Sequence, residues 1–90
     1  MSRVVHKYPV PLGRFVTPLP RGAEFLHVEA QAGIPQMWYL VDLAETDTEQ
    51  RTFVVLGTGH LLPDGPPLAH RGTFQLDGGT FVGHLFEVVT

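Results

Sequence analysis

Residues 70–89 read HRGTFQLDGGTFVGHLFEVV, and how this stretch folds decides the architecture. Two arms of strand length, 70–76 and 80–89, flank Asp77-Gly78-Gly79, whose residue types tolerate the positive φ of a tight hairpin turn. The stretch is therefore a β-hairpin. In its second arm Phe81, Leu85 and Val89 alternate with Val82, His84, Phe86 and Val88. Both faces of the arm are largely apolar, so it is expected to bend across two layers. Gly83 marks the expected bend, or a close approach by another backbone.

Working backwards, residues 51–56 (RTFVVL) are the strongest β sequence in the chain, rich in β-branched and aromatic side chains. Residues 37–43 (MWYLVDL) form an apolar run of strand length, which suits a central strand or one whose outer face meets a partner. Residues 24–31 (EFLHVEAQ) contain good helix formers, with Gly33 placed to cap a helix. The run is short for a helix, however, and Leu26, Val28 and Ala30 alternate with Phe25, His27 and Glu29, so a strand is the preferred reading. Residues 14–17 make a short strand. Residues 4–10 make another, placed at an edge because Pro9 cannot donate to a ladder.

Seven candidate strands with turn residues between them give an all-β single domain spanning residues 1–90. The expected form is a small antiparallel meander closing into a barrel or a two-layer sandwich. Composition agrees. Ten Gly and eight Pro in 90 residues break up any helical bundle, while 43% hydrophobic against 17% charged residues is the balance of a folded chain. A core of this size is marginal, so a homo-oligomer is expected to add buried surface.

Charge and inventory exclude several functions. The net charge is −3, and Arg3, Lys7, Arg14, Arg21, Arg51 and Arg71 are scattered, so no basic stripe serves duplex nucleic acid. No apolar run approaches the roughly 18 residues of a membrane span, and the amino terminus lacks an apolar signal core, so no membrane contact and a cytoplasmic location are expected. There is no Cys, hence no disulfide or thiolate chemistry, and the supply of nucleophiles is thin, with Ser2 and Lys7 the sole residues of their kinds. Asp42, Glu45, Asp47 and Glu49 read as a solvated loop, because no glycine sits where a calcium loop needs its turn. His60, His70 and His84 with Asp64 match no zinc spacing. His60 or His84 with Glu87 offers an acid–base pair, a minor reading because nothing in the spacing favours it. No cofactor is implied.

Two features point to recognition. The segment LGTGH at 56–60 leaves a strong strand with two glycines around a threonine, which lets several backbone N–H groups converge on an anion. The plainer reading is a strand-exit turn with Thr58 and His60 bonding locally. Trp38 and Tyr39 lie on opposite faces of one strand, so one is core and the other is outside it or at an interface. Gln75, polar among apolar neighbours, is expected to bond an adjacent strand.

The motifs KYPV (7–10), MWYLVD (37–42), RTFVVLGTGH (51–60) and GTFQLDGGTFVGHLFE (72–87) together resemble a family of short, uncharacterised proteins of bacteriophages and prophage-carrying bacteria. The resemblance runs from about Lys7 to Glu87. It implies a phage or prophage setting and carries no catalytic residue with it. The resulting expectation is a non-enzymatic, homo-oligomeric binder that sequesters a small anionic or nucleotide-derived host signal. Its candidate ligand residues are Trp38, Arg51, Thr58, Gly59, His60 and Arg71: arginines pair with phosphate, backbone N–H groups take further oxygens, and an aromatic stacks on a base. The alternative is a protein-interaction module, a phage assembly component or an inhibitor of a host protein, using an exposed sheet edge.

Overall fold

The computed structural model describes residues 2–89. Seven strands follow in chain order: β1 (Arg3–Pro9), β2 (Gly13–Pro20), β3 (Glu24–Gln31), β4 (Ile34–Asp42), β5 (Thr48–Gly57), β6 (Leu68–Leu76) and β7 (Phe81–Val88), with a 3-10 turn at Asp77–Gly79. They form two antiparallel sheets, ordered β1-β4-β3 and β2-β5-β7-β6. Neither sheet closes on itself. The molecule measures 41 × 33 × 15 Å, and its short dimension matches two sheets stacked about 10 Å apart. The all-β class therefore stands, as a sandwich rather than a barrel.

The order within the sheets is not that of a plain meander. Only β3–β4 and β6–β7 are hairpins between chain neighbours; the chain changes sheet at β1–β2, β2–β3 and β4–β5. β7 sits between β5 and β6, which obliges residues 58–67 to arch past it. The final arm thus stays within one sheet and does not bend across both. At Gly83 the close neighbour is a ring, not a backbone: a Cβ there would lie 2.5 Å from Phe74 Cζ, the residue directly opposite on β6. Gly72 plays the same part between layers, where a Cβ would meet Val28 Cγ1 at 2.6 Å.

Two strands differ locally from their patterns for identifiable reasons. β3 carries a bulge between Phe25 and His27, which shifts its phase: Phe25, Val28 and Ala30 turn inward while Leu26 is exposed. β2 runs through Pro18 to Pro20, beyond the short segment expected, because it is an edge strand where a missing N–H costs nothing. The remaining edges are blunted too, β1 by Pro9 and β6 by a bulge between His70 and Gly72.

The core joins both sheets. Met37, Tyr39 and Val41 of β4, the central strand of its sheet, face Phe53 and Val55 of β5, Phe74 of β6 and Leu85 of β7, with Leu19 and Val28 beside them. Tyr39 is fully buried and meets Tyr8, Phe25 and Phe53 edge-on, and Phe53 stacks on Phe15. Trp38 points the other way, half-buried on the outer face, with its ring 6.0 Å from that of His27.

Candidate functional site

A strand register places one carboxylate where the core would otherwise be wholly apolar. Phe81, Gly83, Leu85 and Glu87 share the inward face of β7, and Glu87 lies opposite Phe53. Its side chain is 6% exposed, so the charge needs partners. Three reach it. Arg51 Nε donates to Oε2, Arg71 Nε donates to Oε1 at 3.0 Å, and the Tyr39 hydroxyl donates to Oε1 at 3.1 Å. Arg51 is further held by Nη1 donating to the Ala23 carbonyl at 3.0 Å and to Glu49 at 3.2 Å. Its guanidinium lies over the Tyr39 ring, and that of Arg71 over Phe25.

Burial raises the Glu87 carboxyl, but the hydrogen bonds and charges of Arg51 and Arg71 outweigh it and hold the group below its ordinary value. Burial, and then the Glu87 charge, push the Tyr39 phenol above its ordinary range, so it remains a donor. The array is a locked ionic cluster within the sandwich.

Its outer side is open. β7 ends at Val88 and pairs with β5 from Phe53 onward, so among the described residues no strand covers the first half of β5 on that flank. The notch forms a cleft of about 270 Å³, lined by Glu49, Arg51, Thr52, Arg71, Glu87 and Val88, among others. Both arginines spend Nε on Glu87. Among the described residues, neither Arg71 Nη group nor Arg51 Nη2 has a hydrogen-bond partner, and no buried side-chain polar atom is left unpaired, so these donors reach the surface. Glu87 neutralises one of the two cations. Glu49, its side chain 41% exposed, is a weak counter-ion for the other because water screens it.

The six residues singled out in the sequence fall in three places. Arg51 and Arg71 meet at the cleft. Thr58, Gly59 and His60 lie at the opposite end of β5, seven residues along the strand from Arg51 at Thr58, or about 23 Å at 3.3 Å per residue. There the His60 N–H donates to the Gly57 carbonyl at 3.1 Å and the Gly57 N–H donates to His60 Nδ1 at 3.3 Å, so part of the turn's polar backbone is satisfied internally. Trp38 stands on the outer face of the other sheet, across from Lys7 and His27. Within one chain the fold brings Arg51 and Arg71 together and keeps the other four apart from them.

Glu87 was not among those six, and pairing it with a histidine fails on geometry: it faces inward while His84, three residues away, faces outward. Its signal was the strand alternation itself, a charge in the phase of Phe81 and Leu85, masked because the other face of β7 is also apolar. The acidic segment forms a surface turn, with Asp42 accepting from the Ala44 N–H and Arg21 pairing with Asp47 at 2.6 Å. Gln75 is exposed, with no side-chain hydrogen bond among the described residues. Among them there is no group of three or more metal-ligating residues, and no helix is long and apolar enough to cross a membrane.

The chain belongs to a family described as a domain of unknown function (DUF7352), whose model matches residues 1–90. No curated protein and no solved structure matches it.

Proposed function

We propose that this protein is a binder that takes a small anionic ligand in the Arg51–Arg71 cleft. One observation carries the reading: two guanidiniums are fixed by a single buried carboxylate so that their remaining N–H groups face a cleft open to solvent. Arginines held in this way lose little freedom when they pair with phosphate or carboxylate oxygens. A volume of about 270 Å³ lies at the low end of ligand pockets, which favours a compact anion or the phosphate end of a nucleotide-derived molecule. Thr58, Gly59, His60 and Trp38 play no part in this cleft. The resemblance to phage and prophage proteins supports a setting in the cytoplasm of an infected bacterium, where the task would be to sequester a host signal.

Native mass spectrometry of protein purified from such cells tests the reading. Retained mass of a phosphate-bearing small molecule, lost in Arg71→Ala, is the expected result. Bare protein at physiological salt, with a host polypeptide attached instead, would favour the second reading, a protein-interaction module. That reading draws on the outer face of the four-stranded sheet, where Val16 is exposed and Leu56, Phe86 and Val88 are only half-buried. The same face could serve a homo-oligomer, and the subunit count from the same spectrum decides between them.

A further inference from the structure

A chain of hydroxyls and imidazoles crosses the outer face of the four-stranded sheet, from the exit of β5 at Thr58 to His70 on β6. His84 lies on β7, opposite Leu56 of β5 on one side and Thr73 of β6 on the other. Thr73 is its direct cross-strand neighbour. Thr58, two residues beyond Leu56, returns to the same face at the strand exit, where Gly59 takes φ +89° and lets the chain turn. The contacts run in sequence: Thr58 Oγ1 to His84 Nε2 at 2.7 Å, His84 Nδ1 to Thr73 Oγ1 at 2.9 Å, and Thr73 Oγ1 to His70 Nε2 at 3.4 Å.

We propose that Thr58 is an acyl-accepting nucleophile, with His84 as its general base and Thr73 as the residue that positions His84. A hydroxyl is a weak nucleophile until a base takes its proton, and the base works only when a third group fixes its orientation and tautomer. Here the third group is neutral. The mechanism requires the tautomer in which the Thr73 hydroxyl donates to His70 Nε2 and its oxygen accepts the Nδ1–H of His84, leaving the Nε2 lone pair for the Thr58 hydroxyl. His84 is also held by backbone pairing on both sides of β7, which fixes the base better than a loop would.

Two cavities meet at Thr58. One of about 250 Å³ is walled by Leu56, Gly59, Leu62 and Phe86 and is apolar enough for a short acyl chain. The other, about 370 Å³ between Thr80, Phe81 and Val82, leaves room for a departing alcohol. The substrate class that fits is a carboxylic ester with a small acyl group. Thr58 Oγ1 attacks the carbonyl carbon while its proton passes to His84 Nε2. The new O–C bond forms as the ester C–O bond breaks, and His84 delivers the proton to the leaving oxygen, so a neutral alcohol departs and acyl-Thr58 remains. Water, deprotonated by the same imidazole, attacks the acyl carbon; the Thr58 C–O bond breaks, the acid is released and Thr58 recovers its proton.

The test uses the full chain and p-nitrophenyl acetate, with release of p-nitrophenolate followed in time and the acetyl group located by peptide mass spectrometry. The expected result is a burst with acetyl on Thr58. Thr58→Val should abolish both, and His84→Gln should slow acylation by about a hundredfold or more, the usual worth of a general base. Thr73→Val should lower the rate and move the His84 ¹⁵N shifts toward the other tautomer, while Thr73→Ser restores both. Saturating inorganic pyrophosphate should change none of these, which separates this site from the anion cleft. Acetyl found on His84, or only on Lys7 and the amino terminus, or a folded Thr58→Val variant that reacts like the parent, overturns the proposal.

Discussion

Glu87 is the residue on which the two halves of the account depend, because one carboxylate both completes the interior and aims two arginines outward. Removing its charge while keeping its shape isolates the first role. Glu87→Gln leaves Arg51 and Arg71 without their shared counter-ion, and breaking a buried pair by deleting one partner costs about 3 kcal/mol or more, measurable by urea unfolding. The pH dependence has a definite sign. The folded-state carboxyl sits below its ordinary value of 4.5, so its contribution is fully present above that pH and is lost as pH falls through the lower, folded value. Below pH 4.5 the parent should lose stability more steeply than Glu87→Gln; parallel curves would remove Glu87 from the acid response. Glu49 acts in the opposite direction on function. Its exposed pairing with Arg51 competes with an incoming anion, so Glu49→Gln should tighten anion affinity by about two- to fivefold, the worth of a surface ion pair.

At the scale of elements, the hairpins carry the clearest consequences. The β3–β4 loop has two residues, Ala32 and Gly33, with φ of 51° and 80°, the geometry of a type I′ turn. An alanine in left-handed conformation is costly, so Ala32→Gly should stabilise the protein by about 1 kcal/mol and raise Tm by roughly 4–8 °C. In the other hairpin, Gly83→Ala would place a methyl against the Phe74 ring and should destabilise by about 1–3 kcal/mol, with Phe74→Leu in the same chain recovering part of the loss. These elements were legible from residue types: β5 from its β-branched run, β6 and β7 from their glycine turn, β1 as an edge from Pro9. What was not legible was phase. The bulge in β3 shifts which side chains face inward, and β7 is apolar on both faces, so the inward place of Glu87 could not be separated from the outward place of His84 by alternation alone. β2 continues past Pro18 because proline marks a break only in an internal strand, and edge position is a property of the assembled sheet.

For the whole molecule, the sheet order separates the candidate residues. Arg51 lies within β5 and Thr58 follows its last residue, so the strand's length puts the glycine turn and the arginines at opposite ends. Arg71 joins Arg51 because the bulge between His70 and Gly72, opposite Phe86 and Leu85, lets an extra residue turn inward to Glu87. That convergence depends on β7 lying between β5 and β6, a non-sequential order that local pattern does not encode. Trp38 is kept apart by the other layer. The cleft is therefore a product of topology, and its occupancy is the claim most worth testing. Titration of ¹⁵N-labelled protein with inorganic pyrophosphate at low ionic strength, followed through the arginine Nε–H and backbone resonances, addresses it directly. Saturable shifts centred on Arg51 and Arg71, abolished in Arg71→Ala with the fold intact, are the expected result. Shifts centred on residues 58–60, or none at millimolar pyrophosphate, would contradict it.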